Sequence, residues 1–247
     1  MKNYDKRKKQ RKLSFKIIKQ ITKIKYKKPA FIFLGEEIKD GSIILCNHEG
    51  TDAPMSLEIY CKNYLRMWGT HEMNSGLKMM YKYQTLEYYH KRKGWNLTLA
   101  RLFCLIASPL TNLFYSGLNL ISTYKDIRFT KTLKESYNAI KNKENIVIFP
   151  EDSTNGYLEE LESFFKGFAK LAEYTHKKGL NVPIYVAYYQ KKNKVFVIDK
   201  PVYFKDYIYD DKTLDEMAII LKNRCNELGK MSFSREELKL SKEKYYI

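Results

Sequence analysis

The 247-residue sequence is short of the residues that punctuate and cross-link a chain, with 11 glycines, 6 prolines and 4 cysteines. Cys46, Cys61, Cys104 and Cys225 form no CxxC pair and meet no histidine at ligand spacing. That excludes a zinc ribbon and a disulfide framework, and predicts reduced, buried thiols of the cytosolic kind. No low-complexity linker or internal repeat interrupts the chain. Uninterrupted apolar runs are missing as well. The most apolar stretch, "LARLFCLIASPLTNLFYSGLNLIS" (99–122), contains Arg101, Pro109 and Asn112. A bilayer span needs about 20 mostly apolar residues, so a buried or membrane-touching segment is expected there. The opening "MKNYDKRKKQRK" is followed by no apolar region of the signal-peptide type, and a cytoplasmic location is expected.

Acidic residues are outnumbered, 28 against 45 Lys and Arg, for a net charge of +17. Such a balance favours an anionic partner: a lipid surface, a nucleic acid or a phosphorylated substrate. No RNA-binding aromatic signature or DNA-reading motif accompanies the charge, so nucleic acid is not the expected partner. What the chain has in quantity is apolar and aromatic side chains, 44% and 15% of residues, with 21 tyrosines. That composition excludes a disordered chain and is ample for a core.

Residues 13–26, "LSFKIIKQITKIKY", place Leu13, Ile17, Ile21 and Ile24 three or four apart with lysines between. The spacing predicts a basic amphipathic helix, either an interfacial anchor on an anionic membrane or a helix packed on its own domain. With the preceding Lys/Arg run it makes an arm of residues 1–28, and 29–247 reads as a single α/β domain. "FIFL", "SIILC", "YLRMWG", "LNLIS", "NIVIF", "VPIYVAYY" and "KVFVID" read as strands. Helical patterns lie between them, at 52–63, 72–115, 130–143 and 162–179, and a last one closes the pattern at 213–230. The alternation predicts a mostly parallel mixed sheet with helices on both faces. The acidic trio Glu159, Glu160 and Glu162 fits the start of a helix. "NLT" at 96–98 matches a glycosylation acceptor that a cytosolic chain would not use.

Two strand ends carry polar clusters, "SIILCNHEGTDAP" and "NIVIFPEDSTNGY". In a parallel sheet the carboxyl ends of strands line the ligand crevice, so the two loops are expected to meet. One brings His48 and Asp52, the other Glu151, Asp152, Ser153 and Thr154. A base, an orienting carboxylate and a polar cradle are the parts that acyl transfer to a hydroxyl needs. His71, just past a strand end, reads as a structural histidine; His90 and His176 lie in lysine-rich helical segments and read as solvated.

These segments resemble the glycerolipid acyltransferases, the family of lysophosphatidate and glycerol-phosphate acyltransferases. "FIFLGEEIKDGSIILCNHEGTD" is similar to its opening strand pair and Asn-His motif, and "NIVIFPEDST" to its Phe-Pro-Glu-Gly-Thr-Arg motif. "FFKGFAKLA" resembles the helix after that motif, and "NVPIYVAYY" a later strand. The resemblance runs from about Phe31 to Phe204. It implies transfer of a fatty acyl group from a thioester donor, acyl-CoA or acyl carrier protein, to a hydroxyl of a glycerolipid or lysophospholipid. His48 would be the general base and Asp52 its orienting partner, with no metal and no cofactor beyond the donor's carrier. Attachment to the inner face of the cell membrane is the matching location.

The departures are specific. Three residues, Glu49, Gly50 and Thr51, separate His48 from Asp52 where the family has four; the family's Asp position falls on Ala53. Glu49 and Glu72 are alternative partners for the imidazole. Asp152 stands for the family's glycine and Thr154 for its arginine, and the arginine of a second motif corresponds to Thr123, with Lys125 or Arg128 as possible substitutes. A lysine does not reproduce the fork of an arginine. An acceptor other than lysophosphatidic acid is therefore expected, a lysophospholipid or glycolipid. The competing reading is a catalytically inactive lipid-binding homologue.

Overall fold

The computed structural model describes residues 13–152 and 156–246. In chain order, α1 is Leu13–Thr22, β1 Ala30–Phe33, β2 Ile43–Cys46, α2 Asp52–Tyr60 and β3 Leu65–Thr70. A 3-10 turn (His71–Asn74) leads to α3 (Leu77–Lys82), wider π-type turns (Tyr83–Arg92), the long α4 (Leu97–Leu118) and β4 (Ile121–Thr123). Next come α5 (Phe129–Lys141), β5 (Asn145–Ile148), α6 (Gly167–Lys177), β6 (Pro183–Gln190), β7 (Val195–Ile198) and β8 (Val202–Tyr203). Helices α7 (Phe204–Tyr209), α8 (Leu214–Lys230) and α9 (Arg235–Tyr246) complete the order. The chain divides into two compact units, each built from two stretches: 1–22 with 66–132, and 23–65 with 133–247.

The architecture is α/β with a mostly parallel mixed sheet. In the larger unit the strands run β1-β7-β6-β2-β5. β1 lies parallel to β7, and β2 parallel to both β6 and β5. β6 is antiparallel to β7 and, at its start, to β8. Every residue of β2, β5 and β7 is buried. Apart from Asn145, whose Oδ1 accepts from Ser42 N–H at 2.9 Å, their sequences are unbroken apolar runs, as strands covered on both faces require. Helix α8 packs on β6 and β7, and α9 on β1. The Tyr245 ring stacks on Phe31 at 4.3 Å, and Ser241 Oγ donates to the Phe31 carbonyl at 2.6 Å.

Several elements differ from the sequence reading. The helix expected over 162–179 begins at Gly167. The residues before it are taken up by the end of β5: Phe165 N–H donates to the Pro150 carbonyl at 2.7 Å and Asp152 N–H to the Ser163 carbonyl at 3.2 Å. Glu159 and Glu160 therefore sit on a loop, paired with Lys192 and Lys230. The helical pattern also does not close at 213–230, since α9 follows; its sequence is charged, and Tyr245 is its buried residue.

In the smaller unit β3 and β4 pair in parallel, Trp68 opposite Ile121. Asn96 caps α4, its side-chain oxygen accepting from Thr98 N–H at 2.9 Å, so "NLT" marks a helix start. Helix α1, shorter than the expected 13–26, packs on α4 through Phe15 against Phe114, ring centroids 5.2 Å apart. Phe15 fills the space over Gly117, where any Cβ would lie 2.3 Å from its ring. Leu13, Ile17 and Ile21, the stripe that the periodicity singles out, are exposed. The four cysteines are free and buried.

Candidate active site

β6 runs past the end of β2, and Asn47 bridges the difference. Its side-chain Oδ1 accepts from Tyr189 N–H at 2.7 Å and its Nδ2 donates to the Tyr189 carbonyl at 3.2 Å. A carboxamide thus stands in for a peptide group and prolongs the β2–β6 ladder by one step, 1% exposed. The chain then turns sharply. Glu49 and Gly50 both take left-handed backbone, φ +44° and +65°, and Asp52 N–H donates to the Glu49 carbonyl at 3.1 Å, which starts α2. Glycine at 50 allows the tightening that the short His48–Asp52 spacing demands.

His48 projects at this turn. Its ring lies 4.9 Å from the Phe149 ring and stacks on Tyr157 at 5.2 Å, the planes 21° apart. Its Nδ1 is buried. The His48 main-chain N–H donates to the carboxylate of Glu151, just past β5. Glu151 is 7% exposed and its Oε1 has no hydrogen-bond partner. Burial pushes its carboxyl up to about 7, against the opposing pull of the His48 N–H. Beside it lie the thiols of Cys46 and Cys225, both held well above the ordinary range by burial, with the nearby Glu151 carboxylate adding to the shift. These thiols are packing groups, not nucleophiles.

Asp52, the expected partner of the imidazole, begins α2, and its Oδ2 is 2.9 Å from Lys191 Nζ. That hydrogen bond raises the Lys191 amine. Glu49 is 4.0 Å from the same nitrogen, and burial raises its carboxyl. Lys191 lies in the β6–β7 turn, and the sequence carries no signal for it, one lysine among many. The same holds for Tyr157 and Phe149, whose roles depend on where the second loop folds back.

Asp152 follows Glu151 in the larger unit, while Ser153 and Thr154 lie outside the described residues, as does the arm over 1–12. Thr123, Lys125 and Arg128 belong to the smaller unit. There Thr123 Oγ1 donates to the Gly69 carbonyl at 3.0 Å. Arg128 makes a fork on Asp126, Nη2 to Oδ2 at 2.7 Å, and lies 4.6 Å over the Tyr124 ring. Glu72 accepts from Thr70 Oγ1 and is 3.1 Å from His71 Nδ1. Among the described residues no group of three or more His, Cys, Asp or Glu converges as a metal site would require.

No family model matches the chain, and no curated protein matches it. Among solved structures it is similar to the 1-acyl-sn-glycerophosphate (LPA) acyltransferase PlsC from Thermotoga maritima, at 14% identity. The likeness covers 88% of this chain and 81% of that one, with a TM-score of 0.46.

Proposed function

We propose that the protein is an acyltransferase that moves a fatty acyl group from a thioester donor, acyl-CoA or acyl carrier protein, to a lipid hydroxyl. The observation that carries this reading is the meeting of two distant segments on one imidazole: the Asn-His turn after β2 and the Phe-Pro-Glu segment after β5, with Phe149 against the His48 ring and Glu151 on its main chain.

With Nδ1 buried, the ring would meet the acceptor through Nε2. His48 takes the hydroxyl proton as the oxygen attacks the thioester carbonyl; the imidazolium then returns a proton to the departing thiol. A positioned base of this kind supplies about 10²–10⁴ in rate. Asp52 is the carboxylate for holding the imidazolium, with Lys191 Nζ 2.9 Å from its Oδ2. Glu49, Asp52 and Glu151 surround the turn against Lys191, a balance that disfavours a dianionic phosphomonoester and suits a lysophospholipid diester or a glycolipid. The test is thiol release from acyl-CoA by purified protein with a panel of lyso-lipids: release that needs both acceptor and His48 supports the reading.

One observation favours a second reading, a binding protein that has lost catalysis. The Asp52 carboxylate is engaged by Lys191. Lipid binding with no acceptor-dependent thiol release would select it.

A further inference from the structure

Helix α4 has two apolar faces. Ala100, Cys104, Ser108 and Phe114 are buried within its unit. On the other side Leu99, Leu102, Ile106, Leu110 and Leu113, spaced three and four apart, stand in solvent, Ile106 at 75% exposure. Only 22% of the helix's most apolar window is buried, so it is not a core helix. The exposed Leu13, Ile17 and Ile21 of α1, which packs on the far end of α4, extend the apolar surface. Contiguous apolar stripes of this extent on soluble chains mark an interaction site.

Charge identifies the occupant. Residues 1–22 and 66–132, the stretches of the smaller unit, hold 19 Lys and Arg against 4 Asp and Glu, which is +15 of the chain's +17. The rest of the chain is close to neutral. An apolar stripe and nearly all the positive charge on one unit match the acyl–headgroup boundary of an anionic bilayer. We propose that α4 is a monotopic membrane element, lying in the plane of the interface with the Leu99–Leu113 stripe immersed and the surrounding cations on the headgroups.

Length alone would let α4 cross, since 22 residues rise about 33 Å. Its neighbours forbid it. The π-type segment Tyr83–Arg92 packs along α4, with Tyr89 and Trp95 against Phe103 at 5.0 and 5.3 Å, and carries Glu87, Lys91 and Arg92. A spanning α4 would drag those charges into hydrocarbon, whereas an in-plane helix leaves them in the headgroup layer. The inference does not depend on the reaction proposed above.

Co-sedimentation of the full chain with vesicles of zwitterionic lipid, with and without anionic lipid, tests it. Binding to anionic vesicles should persist in part at salt that screens the charges. Ile106→Glu and Leu110→Glu should each weaken it by about tenfold or more, since the carboxylate must enter the interface, while the melting temperature is unchanged because both positions are exposed. As a second measurement, Leu102→Cys carrying an environment-sensitive dye should shift to the blue on vesicles and be quenched by lipids brominated near the headgroup; the same dye at Lys239→Cys should not. Wild-type binding by both glutamate variants, or a dye at 102 unmoved by vesicles, overturns the proposal. So does a soluble dimer that Ile106→Glu splits without changing vesicle binding, which would make the stripe a contact between two copies.

Discussion

Asn47 and Tyr189 are joined as two strand residues are, although one of them contributes its side chain, at 2.7 and 3.2 Å. Because both groups are buried, Asn47→Ala would orphan a main-chain donor and acceptor, each costing about 1–3 kcal/mol. Urea unfolding should show a loss of about 2–4 kcal/mol, with an unchanged m-value. Asn47→Asp should be worse at neutral pH than in acid, since its carboxylate faces the Tyr189 carbonyl. Equal stability for all three proteins would deny the bond its role.

His48→Ala should abolish acyl transfer and leave the melting temperature close to that of the parent. Asp52→Asn should lower kcat at least about tenfold, or about 1.4 kcal/mol in barrier, and Lys191→Met, which releases the carboxylate, should not reproduce that loss. Steady-state kinetics on the three variants settles the assignment. Full turnover by Asp52→Asn would pass the partner role to Glu49.

Glu151 makes stability depend on pH. Its folded carboxyl is raised to about 7 from the ordinary 4.5, so the folded state holds the proton more tightly than the unfolded chain does. The contribution is fully present below about pH 4.5 and is lost as pH rises to about 7, an order of 3 kcal/mol. Glu151→Gln keeps an oxygen for the His48 N–H and removes the titration. Melting temperature against pH should slope downward between pH 5 and 7 for the parent and be flatter for the variant. Parallel curves would refute it.

Gly117→Ala should cost about 1–3 kcal/mol by overpacking, because the added methyl lies 2.3 Å from the Phe15 ring. Phe15→Ala in the same chain should recover part of it. A double-mutant cycle in urea with no coupling between the two sites would contradict the packing.

How much of this the sequence announces varies by residue. β2 and β7 are legible because every position in them is apolar, and β5 because Ile146, Val147 and Ile148 are. The meeting of the loops after β2 and β5, His48 against Phe149, is legible because both follow strands of one parallel sheet. The burial of Phe15 is not legible: helical period groups Leu13, Ile17 and Ile21, and only a glycine a hundred positions away decides that Phe15 goes inside instead. Lys191 is hidden for another reason. Its meeting with Asp52 depends on β6 outrunning β2, a difference in strand length that no local pattern encodes. The apolar stripe of α4 fits a buried or a membrane-touching segment equally by sequence, and only its exposure shows that it is not buried.

The clasp of α9 on β1 sets an order of events during synthesis. Phe31 leaves the ribosome early, yet the hydroxyl that binds its carbonyl arrives 210 residues later and the Tyr245 ring that stacks on it later still. At roughly 5–20 residues per second the strand waits on the order of ten seconds or more with that side bare. A nascent chain stalled before Arg235 should therefore present Phe31 to chaperones, and emergence of Arg235–Tyr246 should end that contact.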